Sequence, residues 1–373
     1  MKTKKPTTAK ADQGADRSKA DFTSAFFMMV VGLLLGACSR GPEAMMADYT
    51  ARIGRITDAP IARQDAEPLP YPRGRDRKRA LPDVRARLMD LTDFDRCNLT
   101  QLIAERNSIM GRYWAATRRL DYEFRFSHRV ADCHDWLTQQ DTLNNDDEAL
   151  LALLTSLRAV KAETRPLAWW AVTWASDEFA RYFSASAPLP ALDARAPVNA
   201  FMPLAGIAAA LDDPPDGIAL ADVEAALQTL RSTPYGGGWV RAVTQMTQTL
   251  DAAAAALNSV DTSRLCPQAK VTPKARIFET VFHQHYALRL QPYLSALHRQ
   301  GEAQQAALAP LLAEIDDDAP AAIKAYAKRA LSTDDDSLWA GMVAARQRHT
   351  DAWQRVLGDC SAMPDGTRRE AAS

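Results

Sequence analysis

Apolar side chains recur three and four residues apart through most of the chain, a spacing that places them on one face of an α-helix. The first such stripe begins after Glu43 and consists of Met46, Tyr49, Ile53 and Ile56. Further stripes follow as far as residue 360. The pattern predicts an all-α protein, an irregular multi-helix bundle.

One segment, Arg119 to His128, fits two periods. Its apolar residues alternate with polar ones as in a strand: Leu120, Tyr122, Phe124 and Phe126. Leu120 and Phe124 also share a helical face. We predict a helix, because the flanks are helical and no second alternating run of comparable quality offers a pairing partner.

Leucine spacing predicts a helix from Glu148 to Val160, which we expect Pro166 to interrupt. Three tryptophans follow at helical spacing: Trp169, Trp170 and Trp174. We predict that they lie in the core. The alternative is that they stack on sugars of cell-wall glycans.

Glycines and hydroxyl-bearing residues predict two further helix boundaries. The glycine run 236–238 follows a predicted helix from Ala219 to Leu230 and is interpreted as a turn between helices. The alternative is a flexible loop over a cleft. Ser332 or Thr333 is predicted to open the last long helix.

Proline-rich stretches divide the chain into segments. The first carries Arg73 and Arg75 and is predicted to be an extended, solvated connector, with contact to anionic lipid headgroups as the alternative. The predicted organisation is a lipoprotein signal peptide (1–37), an anchor and first helix (38–58), the Pro/Arg-rich connector (59–83), a helical N-terminal half (84–186), a Pro-rich linker (187–217), a helical C-terminal half (218–360) and a disordered tail (361–373).

The N-terminal segment indicates export. A basic start leads into an apolar run from Ala25 to Leu35, which is shorter than the ~20 residues a spanning helix needs but fits the centre of a signal peptide. The run ends in Leu35-Gly36-Ala37-Cys38, which resembles a bacterial lipobox. We therefore expect Cys38 to be acylated, and Ser39 after it implies the outer membrane, facing the periplasm. The alternative is a signal anchor or a buried helix with a chance cysteine.

Charge and cysteine content agree with that compartment. The net charge of −1 and the expected export argue against a nucleic-acid partner. Besides Cys38 there are four cysteines, without the close spacing of a zinc ribbon or a thioredoxin motif: Cys97, Cys133, Cys266 and Cys360. We predict two disulfides. Three connectivities exist, and Cys97–Cys133 with Cys266–Cys360 is favoured because each bridge stays within one half of the chain; four free thiols are the alternative.

Few residues suggest chemistry. Four consecutive polar residues end a predicted helix: Glu105, Arg106, Asn107 and Ser108. They could bind a ligand, or form an ion pair and a C-terminal helix turn. A hydrolase would need two carboxylates facing a groove, for instance Glu105 with Glu123 or Asp121. His283 and His285 would lie on different sides of a helix, so no metal site is predicted. The sequence contains no Gly-x-Ser-x-Gly or His-Glu-x-x-His motif, and neither a cofactor nor a catalytic residue is predicted.

Several motifs between residues 45 and 140 resemble those of a known family. They are Pro70-Tyr71-Pro72-Arg73, Leu81-Pro82, Cys97-Asn98-Leu99 and the run Leu102 to Ser108 continuing to Gly111. Together they are similar to the proteobacterial lipoproteins grouped as DUF3080, and the similarity covers most of the mature chain. That family has no assigned activity, so the resemblance implies a lipoprotein and adds no catalytic residue.

Two classes of function follow from these features. The first is a lipid-anchored envelope lipoprotein, attached to the membrane through its anchor, that binds an envelope protein or supports assembly without catalysis. The second is a cell-wall (peptidoglycan) hydrolase or glycan-binding protein that uses paired carboxylates. An open groove lined by acids and a tryptophan would favour the second class, and acids held in buried ion pairs would favour the first.

Overall fold

The structure, a computed structural model, describes residues 41–62, 67–82 and 93–361. These residues form helices and no strand, as the hydrophobic pattern predicted. The α-helices of the described residues are α1 (Pro42–Ile56), α2 (Gly74–Arg77), α3 (Thr100–Asn107), α4 (Ala116–Thr138), α5 (Asn145–Val172), α6 (Asp177–Tyr182), α7 (Met202–Ala209), α8 (Leu220–Ser232), α9 (Tyr235–Asn258), α10 (Thr262–Leu265), α11 (Pro273–Val281), α12 (Gln291–Ala313), α13 (Ala321–Tyr326) and α14 (Leu338–Asp359).

Short segments of other helical types connect some of these helices. Phe282–Leu290 and Ala327–Leu331 are π-helical, and Asp93–Cys97 and Met110–Tyr113 are 3-10 turns. The predicted signal peptide, Cys38 and most of the predicted tail lie outside the described residues. So do Val84, Leu88 and Leu91, whose spacing of four and three residues predicts a helix. Within the described ranges, no helix combines the length and the apolar character needed to cross a bilayer.

The described residues from Pro42 onward belong to one compact unit, and its core consists of two hydrophobic clusters. In the larger cluster α9 packs along α14, with α1 against α9. The smaller cluster lies between α4, α5 and residues 94–103. Helix α4 contributes Leu120 and Phe124 to the larger cluster and Tyr122 and Phe126 to the smaller one. Burial on two sides therefore explains its strand-like alternation, and the predicted helix is confirmed.

The predicted boundaries at Pro166 and Ser332 are wrong. Helix α5 continues through Pro166, because the turn beyond it is fixed by Trp169 and Trp170, each 1% exposed and each donating its indole N–H to a backbone carbonyl. This packing outweighs the ~3 kcal/mol that an interior proline costs a helix. The last helix opens later than predicted, at Ser337, whose hydroxyl accepts the backbone N–H of the third residue of α14. The three tryptophans predicted as core are buried.

The glycine run is also not the predicted turn. Gly236 to Gly238 form part of the first turn of α9 and are buried. A Cβ added at Gly237 would lie 2.0 Å from the carbonyl oxygen of Ser184, and one at Gly238 would lie 2.2 Å from that of Pro188. The glycines therefore allow the start of α9 to approach another backbone segment closely, which is a packing role.

Both predicted disulfides are present with the favoured connectivity. Cys97–Cys133 joins the first 3-10 turn to α4 within the smaller cluster. Cys266–Cys360 joins the residue after α10 to the end of α14 within the larger cluster. Each bridge thus reinforces one hydrophobic cluster.

Candidate functional site

The polar run at the end of α3 folds back on itself. The Ser108 hydroxyl donates to the Glu105 carbonyl (2.7 Å) and accepts the Gly111 N–H (2.9 Å), while the Arg106 guanidinium donates to the Gly111 carbonyl (2.7 Å). A Cβ at Gly111 would lie 2.3 Å from the Glu105 carbonyl oxygen, so only glycine fits there. Asn107 is exposed. Three of the four predicted residues therefore hold a turn.

That turn presents large apolar side chains to solvent. Ile109 is 77% exposed, Met110 74% and Tyr113 84%. We call residues 109–113 the apolar turn. Sequence reasoning singled out the polar residues before it and missed these three, although they lie next to the run and do not continue a helical stripe.

The basic connector is bonded to the rest of the protein through Tyr71 and Arg77. The Tyr71 hydroxyl donates to the Trp174 carbonyl (2.7 Å), and buried Arg77 pairs with Asp177 (2.5 Å). Arg73 and Arg75 remain exposed, and Arg75 lies 3.4 Å from its neighbour Asp76. Described residues 67–82 thus pack on the protein and present only part of their positive charge outward.

The acids proposed for hydrolysis have other partners. Glu123 is fully buried and bound by Lys161 (2.6 Å) and Arg119 (2.7 Å). Burial opposes its ionisation, but the two cations outweigh burial and hold the pKa of the Glu123 carboxyl below its usual range. A general acid would need the opposite shift. Asp121 accepts the Ile218 N–H (3.1 Å).

A cavity of about 670 Å³ opens beside the Cys97–Cys133 disulfide, between the Asp93–Cys97 turn and α4. Trp136 lines it and is 45% exposed. The Arg96 guanidinium lies 5.4 Å from the centre of the Trp136 ring and pairs with Asp147 (2.7 Å). The other polar lining residues are Asp95, Asn98, Thr100, Gln101, His128, Arg129, Asp132 and Asp216.

Several of these polar groups are fixed in position. The His128 Nδ1 atom lies 3.1 Å from the Pro214 carbonyl oxygen, which can only accept, so Nδ1 carries the proton. Its other ring nitrogen lies 3.3 Å from Asp132. Arg129 donates to the Asn98 carbonyl (2.9 Å). The cavity is therefore lined by hydrogen-bonding groups in fixed orientations, and these groups surround one accessible indole ring.

The histidine pair predicted not to bind metal lies in the first π-helical segment. His285 is 3.4 Å from Asp48 on α1. Among the described residues, no group of three or more His, Cys, Asp or Glu side chains is arranged to hold a metal ion.

Comparisons with known proteins identify the family of this chain. Neither the curated proteins nor the solved structures include a chain that matches it. The model of the family DUF3080, described as "protein of unknown function", matches residues 46–364 of the 373. The chain therefore belongs to the DUF3080 family.

Proposed function

We propose that the protein is a lipid-anchored lipoprotein of the outer membrane that faces the periplasm and binds cell-wall glycan without cleaving it. The lipobox at Leu35–Cys38 supports the anchor, and two disulfides suit an oxidising compartment. Helix α1 begins at Pro42, so only three residues separate it from Cys38. So short a connection between the acylated cysteine and the first helix suits a protein that acts at the membrane surface.

The cavity beside the disulfide carries the binding proposal. A half-exposed indole offers an apolar face to the C–H face of a sugar, and the surrounding carboxylates, amides and guanidinium groups can bond to its hydroxyls. Glu123, one of the carboxylates named as a possible catalytic acid, is instead held in a buried ion pair. These two observations favour binding over hydrolysis.

Trp136→Ala is expected to weaken binding to isolated peptidoglycan sacculi about 30-fold, because truncating a central tryptophan of a binding site costs roughly 2 kcal/mol. Co-sedimentation of the purified full chain with sacculi measures this loss of binding. Leu192→Ala is the matched control, since Leu192 is similarly exposed (52%) and does not line this cavity. Both variants should keep the wild-type circular dichroism spectrum.

Other outcomes of that experiment separate the alternatives. Wild-type protein that does not sediment with sacculi would reject glycan binding and leave the lipoprotein assignment standing. Release of soluble fragments from dye-labelled sacculi, abolished by Asp132→Asn in the cavity, would replace binding with hydrolysis.

The anchor makes a separate prediction. Wild-type protein grown with an alkyne analogue of palmitate should become labelled, and Cys38→Ala should lose the label completely because the acylated thiol is gone. Ser39→Asp is the control, which should keep the label but move the protein to the inner membrane if residue 39 directs sorting. An unlabelled wild-type protein would refute acylation.

A further inference from the structure

We propose that the apolar turn inserts into the surface of a bilayer that contains anionic phospholipids. Ile109, Met110 and Tyr113 are each at least 74% exposed, although each would be more stable out of water. A membrane interface accepts such side chains, with tyrosine and tryptophan at headgroup level. Trp114 follows directly and is partly buried.

The charge around the turn fits anionic headgroups. Between residues 106 and 119 the chain carries four arginines and no acid. Arg106 bonds to the turn and Arg119 to Glu123, whereas Arg112 and Arg118 are exposed. The Arg118 guanidinium lies 4.9 Å from the centre of the Trp114 ring. Basic side chains beside exposed apolar and aromatic ones favour an anionic lipid surface over a neutral one.

The turn is rigid before it meets the membrane. Hydrogen bonds of Ser108 and Arg106 and the close approach at Gly111 fix its backbone. Little backbone entropy would be lost on insertion, since the backbone of the turn is already fixed and its apolar side chains are already exposed. This surface is distinct from the cavity, whose lining does not include residues 109–113.

Position-resolved crosslinking to lipid tests this inference. Tyr113 is replaced by the photo-crosslinking residue p-benzoylphenylalanine in the full chain, which is mixed with vesicles of phosphatidylcholine with or without phosphatidylglycerol. Leu288 carries the same residue in the control, because it is comparably exposed (66%) and its π-helical segment packs on α1, α11 and α12. Any effect of the lipid anchor acts on both chains.

We expect phospholipid adducts from position 113 in vesicles with phosphatidylglycerol, and several-fold fewer from position 288 or without the anionic lipid. Adding Arg112→Gln should lower the yield about five-fold, the effect expected for one basic residue at an anionic surface. Equal yields at the two positions, or no dependence on phosphatidylglycerol, would overturn the inference. A crosslink from position 113 to a second copy of the chain would overturn it in favour of self-association.

Discussion

Lys161→Met is expected to destabilise the protein by about 3–5 kcal/mol, because removing one partner of a buried ion pair leaves an uncompensated charge. Lys161 is 5% exposed and its ammonium lies 2.6 Å from the buried Glu123 carboxylate. The same ammonium lies 4.7 Å from the centre of the Phe126 ring and 5.3 Å from that of Tyr122. Urea unfolding followed by circular dichroism measures the loss.

The double variant Glu123→Leu/Lys161→Met should recover most of that stability. Replacing both charges with apolar side chains of similar size is often neutral, and aromatic rings already surround the site. Arg119, which would lose its partner, is 18% exposed at the side chain and can reach water. With wild type, Lys161→Met and the single variant Glu123→Leu, the double variant completes a double-mutant cycle, which isolates the coupling between the two charges.

A surface pair provides the matched control. Lys274 and Asp58 are 2.7 Å apart, nearly the distance of the buried pair, but their side chains are 56% and 76% exposed. Lys274→Met should change the free energy of unfolding by no more than about 0.5 kcal/mol, because solvent screens such pairs. If Lys161→Met costs no more than this, or if the double variant is as unstable as the single one, the pair is not a buried charge pair of the kind described.

The pH dependence gives a second readout. The folded pKa of Glu123 is lowered because Lys161 and Arg119 outweigh the effect of burial, so its stabilisation is fully present above the unfolded pKa of about 4.3. That stabilisation is lost as the pH falls through the lower folded pKa. Wild type should therefore lose stability relative to the double variant as the pH drops below about 4.3.

Helical structure could be predicted where one face of a helix is apolar, and was ambiguous where two faces are. Helix α1 shows a single stripe because it packs on one side, against α9 and its neighbours. Helix α4 packs between two clusters, so its apolar residues approach a period of two. Flanking helical patterns and the lack of a pairing partner were enough to resolve that case.

Helix boundaries and the exposure of individual side chains were harder to predict from the sequence. Pro166 and the glycine run were read by local propensity, but tertiary packing decides both. Exposure decides which aromatic residues can bind a ligand, and no local pattern distinguishes exposed Trp136 from buried Trp170. The polar run 105–108 drew attention to this part of the chain because Ser108 and its neighbours, which hold the apolar turn, are distinctive in sequence; a binding role for the run itself stays a prediction.

The contribution of each disulfide to stability should grow with the logarithm of the length of the loop that it closes. Chain-entropy estimates give about 4.7 kcal/mol for Cys266–Cys360, whose cysteines are 94 positions apart in sequence, and about 3.8 kcal/mol for Cys97–Cys133, whose cysteines are 36 apart. Replacing each pair by alanine should therefore cost several kcal/mol, with the larger loss at Cys266–Cys360. Urea unfolding of the two variants under oxidising conditions measures the difference.

The comparison also tests which effect dominates at each bridge. Cys266 and Cys360 are 3% and 2% exposed, and both lie in the larger cluster, so the packing that remains around them in the alanine variant is extensive. Cys97 and Cys133 belong to the much smaller cluster, which has fewer other contacts to hold the Asp93–Cys97 turn on α4. If loop closure dominates, losing Cys266–Cys360 costs about 0.9 kcal/mol more. A larger loss at Cys97–Cys133 would instead mean that the smaller cluster, and with it the wall of the Trp136 cavity, depends on its disulfide, and sacculus binding by that variant should then fall as well.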